Sequence, residues 1–148
     1  MATRRIEYEW HNQPQSAFGV TFRSKEERKW ATWLEMLRRC GEIRQWQYEP
    51  RQFVFRERYR KRGVYTPDFR IVKPDASVEW HEVKTALRQK DVYKFRQMSL
   101  DYPGERLVLV ISRPPGRSVK RALLEQRARK YLADVIYSAA IFRRVGIR

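Results

Sequence analysis

Cysteine, acidic residues and long apolar runs are all scarce in this chain. Cys40 is the only cysteine among the 148 residues, which excludes an intrachain disulfide and fits a reduced, cytoplasmic setting. The longest unbroken aliphatic run, residues 107–111, is far too short to cross a bilayer. The first residues lead into a polar segment without the apolar core of a signal peptide. We therefore expect a cytoplasmic protein with no membrane partner.

The shortage of acidic residues indicates the class of partner. The chain has 17 Asp and Glu against 33 Lys and Arg, which gives a formal net charge of +16. Such an excess exceeds what solubility needs and favours a polyanionic partner, for which nucleic acid is a better candidate than an anionic membrane. Because 42% of the residues are hydrophobic, we expect residues 1–148 to form a single folded domain with its own core.

The pattern of apolar residues predicts an α/β fold. Ser24-x-x-Glu27 has the spacing of a capping box and opens a helix that ends near Gly41. Further periodic segments predict strands at 43–49, 53–55, 65–72, 78–84 and 107–111, and a second helix at 89–101. This order predicts a mixed central sheet flanked by helices.

The C-terminal segment, residues 113–148, is strongly basic, with ten Lys or Arg and two acidic residues. Ser118 is a candidate cap for a last helix. Its apolar face is expected to include Leu124, Ala128, Tyr131, Leu132, Val135 and Ile136. We therefore expect a basic helical extension, which could bind nucleic acid, pack on the sheet or mediate dimerisation.

Two short motifs form the most informative part of the chain. Asp68 follows Pro67, and after thirteen intervening residues the chain reads Glu82-Val83-Lys84. If the intervening turn is centred on Asp75, paired positions sum to 150 and Asp68 lies opposite Glu82 on the same face. Two carboxylates at that separation repel unless a cation lies between them. Lys84 offsets part of the repulsion, and a Mg²⁺ ion would do so better.

A plainer interpretation is a turn residue at Asp68 and a solvated strand face at Glu82 and Lys84. A slip of one residue would also move Asp68 to the other face. Glu27 is a candidate third carboxylate because it lies on the apolar stripe of the first helix, although a capping role alone also explains it. Glu26, the preceding residue of the same helix, is the alternative candidate for the third carboxylate.

These motifs resemble the PD-(D/E)xK nuclease superfamily, and within it the small phage endonucleases related to endonuclease-I-type Holliday-junction resolvases. The resemblance covers about residues 20–112. The residues that match are Ser24-Lys25-Glu26-Glu27, Trp33-Leu34-Glu35, Gly41-Glu42-Ile43, Tyr48-Glu49-Pro50, Tyr65-Thr66-Pro67-Asp68-Phe69 and His81-Glu82-Val83-Lys84.

The resemblance implies a restriction-endonuclease-like core and a role for each matching residue. Asp68, Glu82 and the backbone carbonyl of Val83 would bind Mg²⁺ or Mn²⁺, and Glu27 would complete the metal site. Lys84 would orient or activate the attacking water and stabilise developing charge. The family often has Gly after the lysine, where this chain has Thr85. That difference affects the approach of a phosphate without removing a catalytic group.

The expected activity is Mg²⁺-dependent hydrolysis of phosphodiester bonds in DNA, with branched DNA such as Holliday junctions as substrate. By resemblance the enzyme would be a homodimer acting in DNA recombination, in the host cytoplasm if phage-encoded. Alternatives are a non-catalytic basic nucleic-acid-binding protein on a nuclease-like fold and a site-specific nuclease subunit of a transposition or restriction system. Candidate DNA-backbone contacts are Arg56, Arg58, Arg60, Lys61, Arg62, Arg88, Lys90, Lys94 and Arg96.

Aromatic and histidine residues are assigned structural roles from the sequence. Trp10, Trp46 and Trp80 could stack on exposed bases, but core packing is favoured. His11 and His81 are also interpreted as structural, because alternation along a strand directs His81 away from Glu82.

Overall fold

The computed structural model describes residues 15–56 and 63–148. The strands in these two segments are β1 (Gln15–Ala17), β2 (Val20–Phe22), β3 (Gln45–Tyr48), β4 (Phe53–Val54), β5 (Val64–Tyr65), β6 (Phe69–Val72), β7 (Val78–Lys84), β8 (Arg106–Ile111) and β9 (Asp134–Tyr137). The helices in the same segments are α1 (Lys25–Arg39), α2 (Gln89–Asp101), α3 (Val119–Arg129) and α4 (Ser138–Val145). Within this part of the chain no helix has both the length and the apolar character that a membrane span needs.

A five-stranded mixed sheet in the order β3-β6-β7-β8-β9 forms the centre of the fold. Its first three strands are antiparallel, whereas β7, β8 and β9 run parallel. The strands β1 and β2 form one separate hairpin, and β4 and β5 form another. The mixed sheet and the helices around it confirm the predicted α/β class.

Each face of the sheet is covered by its own apolar cluster. On one face, Val92, Phe95 and Met98 of α2 pack with residues of α3 and of the β4–β5 hairpin. On the other face, Trp30 and Leu34 of α1 pack with residues of β2 and α4. Because both faces of the sheet are covered, a strand at its centre needs apolar side chains on both sides. Residues 107–111 of β8 are accordingly all apolar and all buried.

Helix α1 begins and ends where the sequence predicts. The Ser24 hydroxyl accepts a hydrogen bond from the Glu27 N–H at 3.1 Å, so Ser24 caps the helix. At the other end Gly41 has φ +78°, a left-handed conformation that glycine adopts at little steric cost.

The β6–β7 hairpin has the predicted register. Phe69 pairs with His81 and Val72 pairs with Val78, so paired positions sum to 150. In the turn, Asp75 accepts a hydrogen bond from the Ser77 N–H at 2.9 Å. The prediction of one continuous strand over 65–72 is wrong. The chain leaves β5, passes through residues 66–68 and enters β6 at Phe69, and a proline within that segment has no N–H for a strand ladder.

The prediction of one long C-terminal helix is also wrong. Helix α3 ends at Arg129, and Val135 and Ile136 lie in β9, which pairs in parallel with β8. A run of β-branched and aromatic residues favours a strand that can pack on a pleated surface. Helix α4 follows and buries Phe142 against α1. The C-terminal segment therefore completes the central sheet and covers one of its faces.

A buried polar network surrounds Glu79 on the α1 face of β7. Trp30 Nε1 donates to His81 Nδ1 at 3.0 Å, and His81 Nε2 lies 2.9 Å from Glu79 Oε1. Lys73 and Arg106 each lie 3.2 Å from Glu79 Oε2. The hydrogen bond with His81 lowers the pKa of Glu79, burial opposes that effect, and Lys73 lowers the pKa further, from 4.5 to about 2.

This network predicts a pH-dependent contribution to stability. We expect Glu79→Gln to lower the free energy of unfolding at pH 7 by on the order of 2 kcal/mol. Because the pKa of Glu79 is lower in the folded state, its stabilisation is complete above about pH 5 and is lost as the pH falls towards 2.

Chemical denaturation at pH 7 and at pH 3 measures this effect. The difference between Glu79→Gln and the wild type should shrink at the lower pH. The exposed residue Glu42 supplies a control, since Glu42→Gln should change stability little at either pH. An equal loss of stability at both pH values in Glu79→Gln would contradict the electrostatic explanation.

Candidate functional site

The candidate site lies at the C-terminal end of β7, beside the start of β6. Asp68 immediately precedes β6, and its Oδ2 accepts a hydrogen bond from the Val83 N–H at 2.7 Å. Asp68 and Glu82 are 7% and 6% exposed, so both carboxylates are buried. The confirmed register thus brings Asp68 to the segment Glu82-Val83-Lys84.

The backbone carbonyl of Val83 points towards the same place. Successive peptide groups of a strand face opposite edges. The Lys84 carbonyl accepts from the Ser112 N–H at 3.2 Å, on the β8 side. The N–H and C=O of Val83 therefore face the β6 side, beyond the residue where β6 begins. The Val83 carbonyl therefore lies on the same edge of β7 as the Asp68 carboxylate.

Glu82 is held by contacts from two elements. The Tyr65 hydroxyl, at the end of β5, donates to Glu82 Oε2 at 2.8 Å. Lys84 Nζ lies 3.4 Å from the other oxygen, Oε1. The small β4–β5 hairpin therefore has a direct part in the site, because it delivers the buried Tyr65 to Glu82.

Lys84 also contacts Asp91, a residue that the sequence analysis missed. Lys84 Nζ lies 3.3 Å from Asp91 Oδ1, and Asp91 Oδ2 accepts from the Arg88 N–H at 2.8 Å. Asp91 is 3% exposed, in the first turn of α2. An acidic residue in the first turn of a predicted helix is a signal for a capping role. Its contact with Lys84 depends on how α2 packs on the sheet, which no local pattern gives.

The electrostatics of the site are unfavourable without a further cation. Burial raises the pKa of Asp68 well above its usual value of 3.8, and the charges of Glu82 and Glu27 raise it further. Burial also raises the pKa of Glu82, against the opposing effect of Lys84 and the Tyr65 hydrogen bond. Two adjacent buried carboxylates cannot both ionise without cost, because each disfavours the charge of the other.

Lys84 keeps its proton in this environment. Burial lowers the pKa of its ammonium group, but the carboxylates of Glu82, Asp91 and Asp68 outweigh burial and raise the pKa above its usual value of 10.5. At neutral pH the residue therefore places a hydrogen-bond donor and a positive charge beside Glu82 and Asp91.

Of the two glutamates left open by the sequence, Glu27 is the one whose charge acts on Asp68. Its Oε2 accepts from the Tyr48 hydroxyl at 2.6 Å and from the Arg23 N–H at 3.2 Å. The sequence left open whether the Glu27 side chain caps the helix or belongs to the site. The Ser24 hydroxyl supplies the cap, so the Glu27 side chain is not needed for it. Glu26 instead lies 3.7 Å from Lys29.

The oxygen atoms of the site suit a hard divalent cation. Among the residues that the structure describes, no three His, Cys, Asp or Glu side chains form a group that could hold a metal ion. Asp68 and Glu82 nevertheless provide two carboxylates, and Val83 provides a carbonyl. Mg²⁺ commonly binds through one or two carboxylates and completes its shell with water or substrate phosphate. The donor set therefore fits Mg²⁺ or Mn²⁺ better than a metal that needs a full protein cage.

The proposed DNA-contacting residues fall into two groups. Arg88, Lys90 and Arg96 are exposed at or on α2, and Lys94 is half-buried with its Nζ 6.0 Å from the centre of the Tyr65 ring. Arg56 is exposed beyond β4. The remaining candidates lie outside the described residues, and they are Arg58, Arg60, Lys61 and Arg62.

The tryptophan and histidine side chains of this set that lie in the described residues are buried or hydrogen-bonded within the protein. Trp80 is buried with its Nε1 2.8 Å from Glu105, and Trp46 Nε1 donates to Glu35 at 2.8 Å. His81 is buried on the α1 face, which confirms that it points away from Glu82. Trp10 and His11 lie outside the described residues.

Comparison with known proteins places most of the chain in one family. A family model described as "Protein of unknown function (DUF1064)" matches residues 15–115, more than half of the 148 residues. No curated protein and no solved structure matches the chain. The matched segment includes Glu27, Asp68, Glu82, Lys84 and Asp91, so every residue of the candidate site belongs to the part shared with the family.

The repulsion between Asp68 and Glu82 predicts that the site lowers stability in the absence of metal. We expect Asp68→Asn to raise the free energy of unfolding, and with it the Tm, at pH 7 in EDTA. The raised pKa of Asp68 makes the wild type lose stability as the pH rises from 3.8 through that pKa, and an asparagine removes this loss.

Thermal melts with EDTA and with Mg²⁺ check this expectation. Mg²⁺ should raise the Tm of the wild type and should have little effect on Asp68→Asn. Glu26→Gln, which removes a carboxylate from the same end of α1, should respond to Mg²⁺ like the wild type. A Tm shift of equal size in Asp68→Asn would contradict the assigned metal site.

Proposed function

The chain belongs to the DUF1064 family, and we propose that it is a Mg²⁺- or Mn²⁺-dependent DNA endonuclease with branched DNA as its substrate. The observation that supports this most is the buried pair Asp68 and Glu82 beside a protonated Lys84, at the end of a central strand. A chain of net charge +16 that buries this acidic group has a site for a cation and a surface for a polyanion.

The resemblance to PD-(D/E)xK nucleases supports the same proposal. The mixed sheet with helices on both faces is compatible with a restriction-endonuclease-like core. The β6–β7 hairpin has the register that the motif requires, with Asp68 at the start of one strand and Glu82 at the end of the other. The fold alone does not define an activity, so the proposal depends on the site.

In the proposed site Asp68, Glu82 and the Val83 carbonyl would hold the cation, and Glu27 would add negative charge from α1 without being a third carboxylate ligand. When bound, the cation supplies polarisation of a phosphate oxygen and lowers the pKa of a water molecule. The Val83 N–H and the Tyr65 hydroxyl each fix one carboxylate, so the two acidic groups are held before any substrate arrives.

Lys84 acts in this proposal as a positive hydrogen-bond donor. Its ammonium group orients the attacking water and stabilises the negative charge that develops on the phosphate. Asp91 and Glu82 hold it from two sides at 3.3 and 3.4 Å. Asp91 is a positioning residue, because it acts on the reaction through Lys84.

The basic surface would bind the DNA backbone around the site. Arg88, Lys90, Lys94 and Arg96 project from the helix that contributes Asp91, so a phosphate near Lys84 has further cations beside it. Contacts of this kind give affinity and position with little sequence preference. A junction substrate, a homodimer and a cytoplasmic role in recombination are implied by the resemblance and belong to the same proposal.

Cleavage assays with site variants test the proposed activity. We expect the wild type with Mg²⁺ or Mn²⁺ to cleave a four-way junction in preference to a flap, a linear duplex and a single strand. Asp68→Ala and Lys84→Ala should each reduce cleavage by at least about 100-fold while junction binding persists. Lys130→Ala removes an exposed lysine at the end of α3 and should cleave normally.

Three outcomes would contradict parts of this proposal. Full activity in both Asp68→Ala and Lys84→Ala would reject the assigned site. A wild type that binds DNA but cleaves none of the four substrates would favour the non-catalytic binding protein. Cleavage restricted to one sequence in linear duplex would favour a nuclease subunit of a transposition or restriction system.

A second prediction concerns Asp91. Asp91→Asn retains an oxygen that can accept from the Arg88 N–H but removes a negative charge beside Lys84. Because Asp91 helps to raise the pKa of Lys84, its loss should lower that pKa and move the alkaline limb of the pH–rate profile to lower pH.

The measured quantity is kcat from pH 7 to about 9.5, where Mg²⁺ stays dissolved and the DNA stays paired, and we expect about a 10-fold lower value at neutral pH and an earlier decline in Asp91→Asn. A melting curve checks that Asp91→Asn remains folded. A profile of unchanged shape, whatever its height, would reject a role of Asp91 through Lys84.

A further inference from the structure

A groove next to the candidate site has apolar walls and a basic rim. It lies between the loop that leads into α2 and the exposed side of α3, and its volume is about 640 Å³. Leu87, Val119 and Leu123 supply apolar surface, and Arg88, Lys120 and Arg127 surround it. The volume lies within the range of pockets that bind small organic groups.

Two apolar residues of the groove are exposed to solvent. Val119 is 73% and Leu123 is 46% exposed, and they lie four positions apart on α3, so they share one face of the helix. An exposed apolar pair inside a groove offers contact area to a ligand that has flat or apolar groups.

The charge of the rim indicates an anionic occupant. Arg88, Lys120 and Arg127 are exposed, and within residues 15–56 and 63–148 none of the three side chains forms an ion pair. No acidic residue lines the groove. The occupant therefore combines negative charge with flat or apolar groups, as a nucleotide does.

The groove is also adjacent to Lys84. Leu87 lies three residues after Lys84, a distance of at most about 11 Å along an extended chain. Asp91 connects the two places, because its Oδ1 contacts Lys84 Nζ and its Oδ2 accepts from the Arg88 N–H. With about 3.4 Å of rise per nucleotide in one strand of a duplex, the groove begins within about three nucleotides of a phosphate at Lys84.

We propose that this groove binds unpaired nucleotides of the DNA strand next to the cleaved phosphate. The walls of Val119 and Leu123 contact the faces of unstacked bases, and the three cations of the rim bind phosphates. The assignment rests on the proposed nuclease function and deepens it, because it explains a preference for DNA whose strands separate at a branch.

Two other occupants fit the groove less well. A second copy of the chain, with 17 Asp and Glu against 33 Lys and Arg, offers few acidic groups to the basic rim of the groove, so the homodimer of the proposed function would use another face. An acidic amphipathic peptide satisfies the charges and the apolar walls, but it does not account for the position of the groove beside Lys84.

A binding experiment in EDTA separates these possibilities without depending on cleavage. Fluorescence anisotropy compares a duplex that ends in two unpaired arms with a fully paired duplex of the same length, at the same salt concentration. We expect Val119→Ser/Leu123→Ser to weaken binding to the splayed DNA by at least about 10-fold and to the paired duplex by less than about 2-fold. Both side chains are exposed, so the variant should fold.

The matched control is Leu100→Ser. Leu100 is 45% exposed near the other end of α2, close to the value for Leu123, and it does not line the groove. Its substitution should leave both affinities unchanged. Lys120→Ala/Arg127→Ala should weaken binding to the splayed DNA and reduce the slope of log K against log salt by about 1.5.

Several results would overturn the proposal. An effect of Val119→Ser/Leu123→Ser that is absent, or equal for the two DNAs, would show that the groove does not recognise unpaired nucleotides. A dimer in sedimentation that dissociates in this variant would assign the groove to a second copy. Binding of a Glu-rich amphipathic helical peptide that the variant loses, with DNA binding unchanged, would assign it to a protein partner.

The nuclease proposal and the groove proposal can be rejected independently of each other. A wild type that binds splayed DNA through the groove but cleaves no DNA would reject the nuclease and keep the groove. A wild type that cleaves DNA while Val119→Ser/Leu123→Ser behaves normally would reject the groove and keep the nuclease.

Discussion

Two like charges buried side by side are the constraint on which the rest of this structure depends. Asp68 and Glu82 lie at the point where β6 and β7 begin to separate, and their neighbours compensate them from different elements. The Val83 N–H binds Asp68, while the Tyr65 hydroxyl and Lys84 hold Glu82. The register of the β6–β7 hairpin, the short β4–β5 hairpin and the packing of α2 each contribute contacts around the pair, which stays buried although the pKa of each carboxyl is raised.

Strand β7 carries charged side chains on both faces. The negative charge is compensated by neighbouring groups on one face and is only partly compensated on the other. On the α1 face, Glu79 is bound by His81, Lys73 and Arg106, so its pKa falls and its charge is stabilised. On the α2 face the negative charges outnumber Lys84, and the pKa of Asp68 rises. A satisfied network contributes to stability, whereas an unsatisfied one is the usual property of a functional site.

Local sequence patterns were reliable where the determining interactions are local. The cap at Ser24, the turn at Asp75 and the bounds of α2 follow from contacts between residues a few positions apart. The errors arose where distant segments compete. Residues 134–137 pair with β8 as a strand, although a helical pattern also fits them. Strand pairing depends on a partner that is distant in the chain, and the local pattern does not show that partner. The contact of Asp91 with Lys84 was missed because it requires the packing of α2 against the sheet.

The sequence by itself determined the α/β class, the excess of positive charge and the pairing register that brings Asp68 to Glu82, since alternation and turn chemistry are encoded over short distances. Only the tertiary structure decided between Glu27 and Glu26 as the neighbour of Asp68, added Asp91 and Tyr65 to the site, and formed the groove beside Lys84. The physical reason is that these relations join elements far apart in the chain. Their distances depend on how helices pack on a sheet, and no periodicity within one segment specifies that packing.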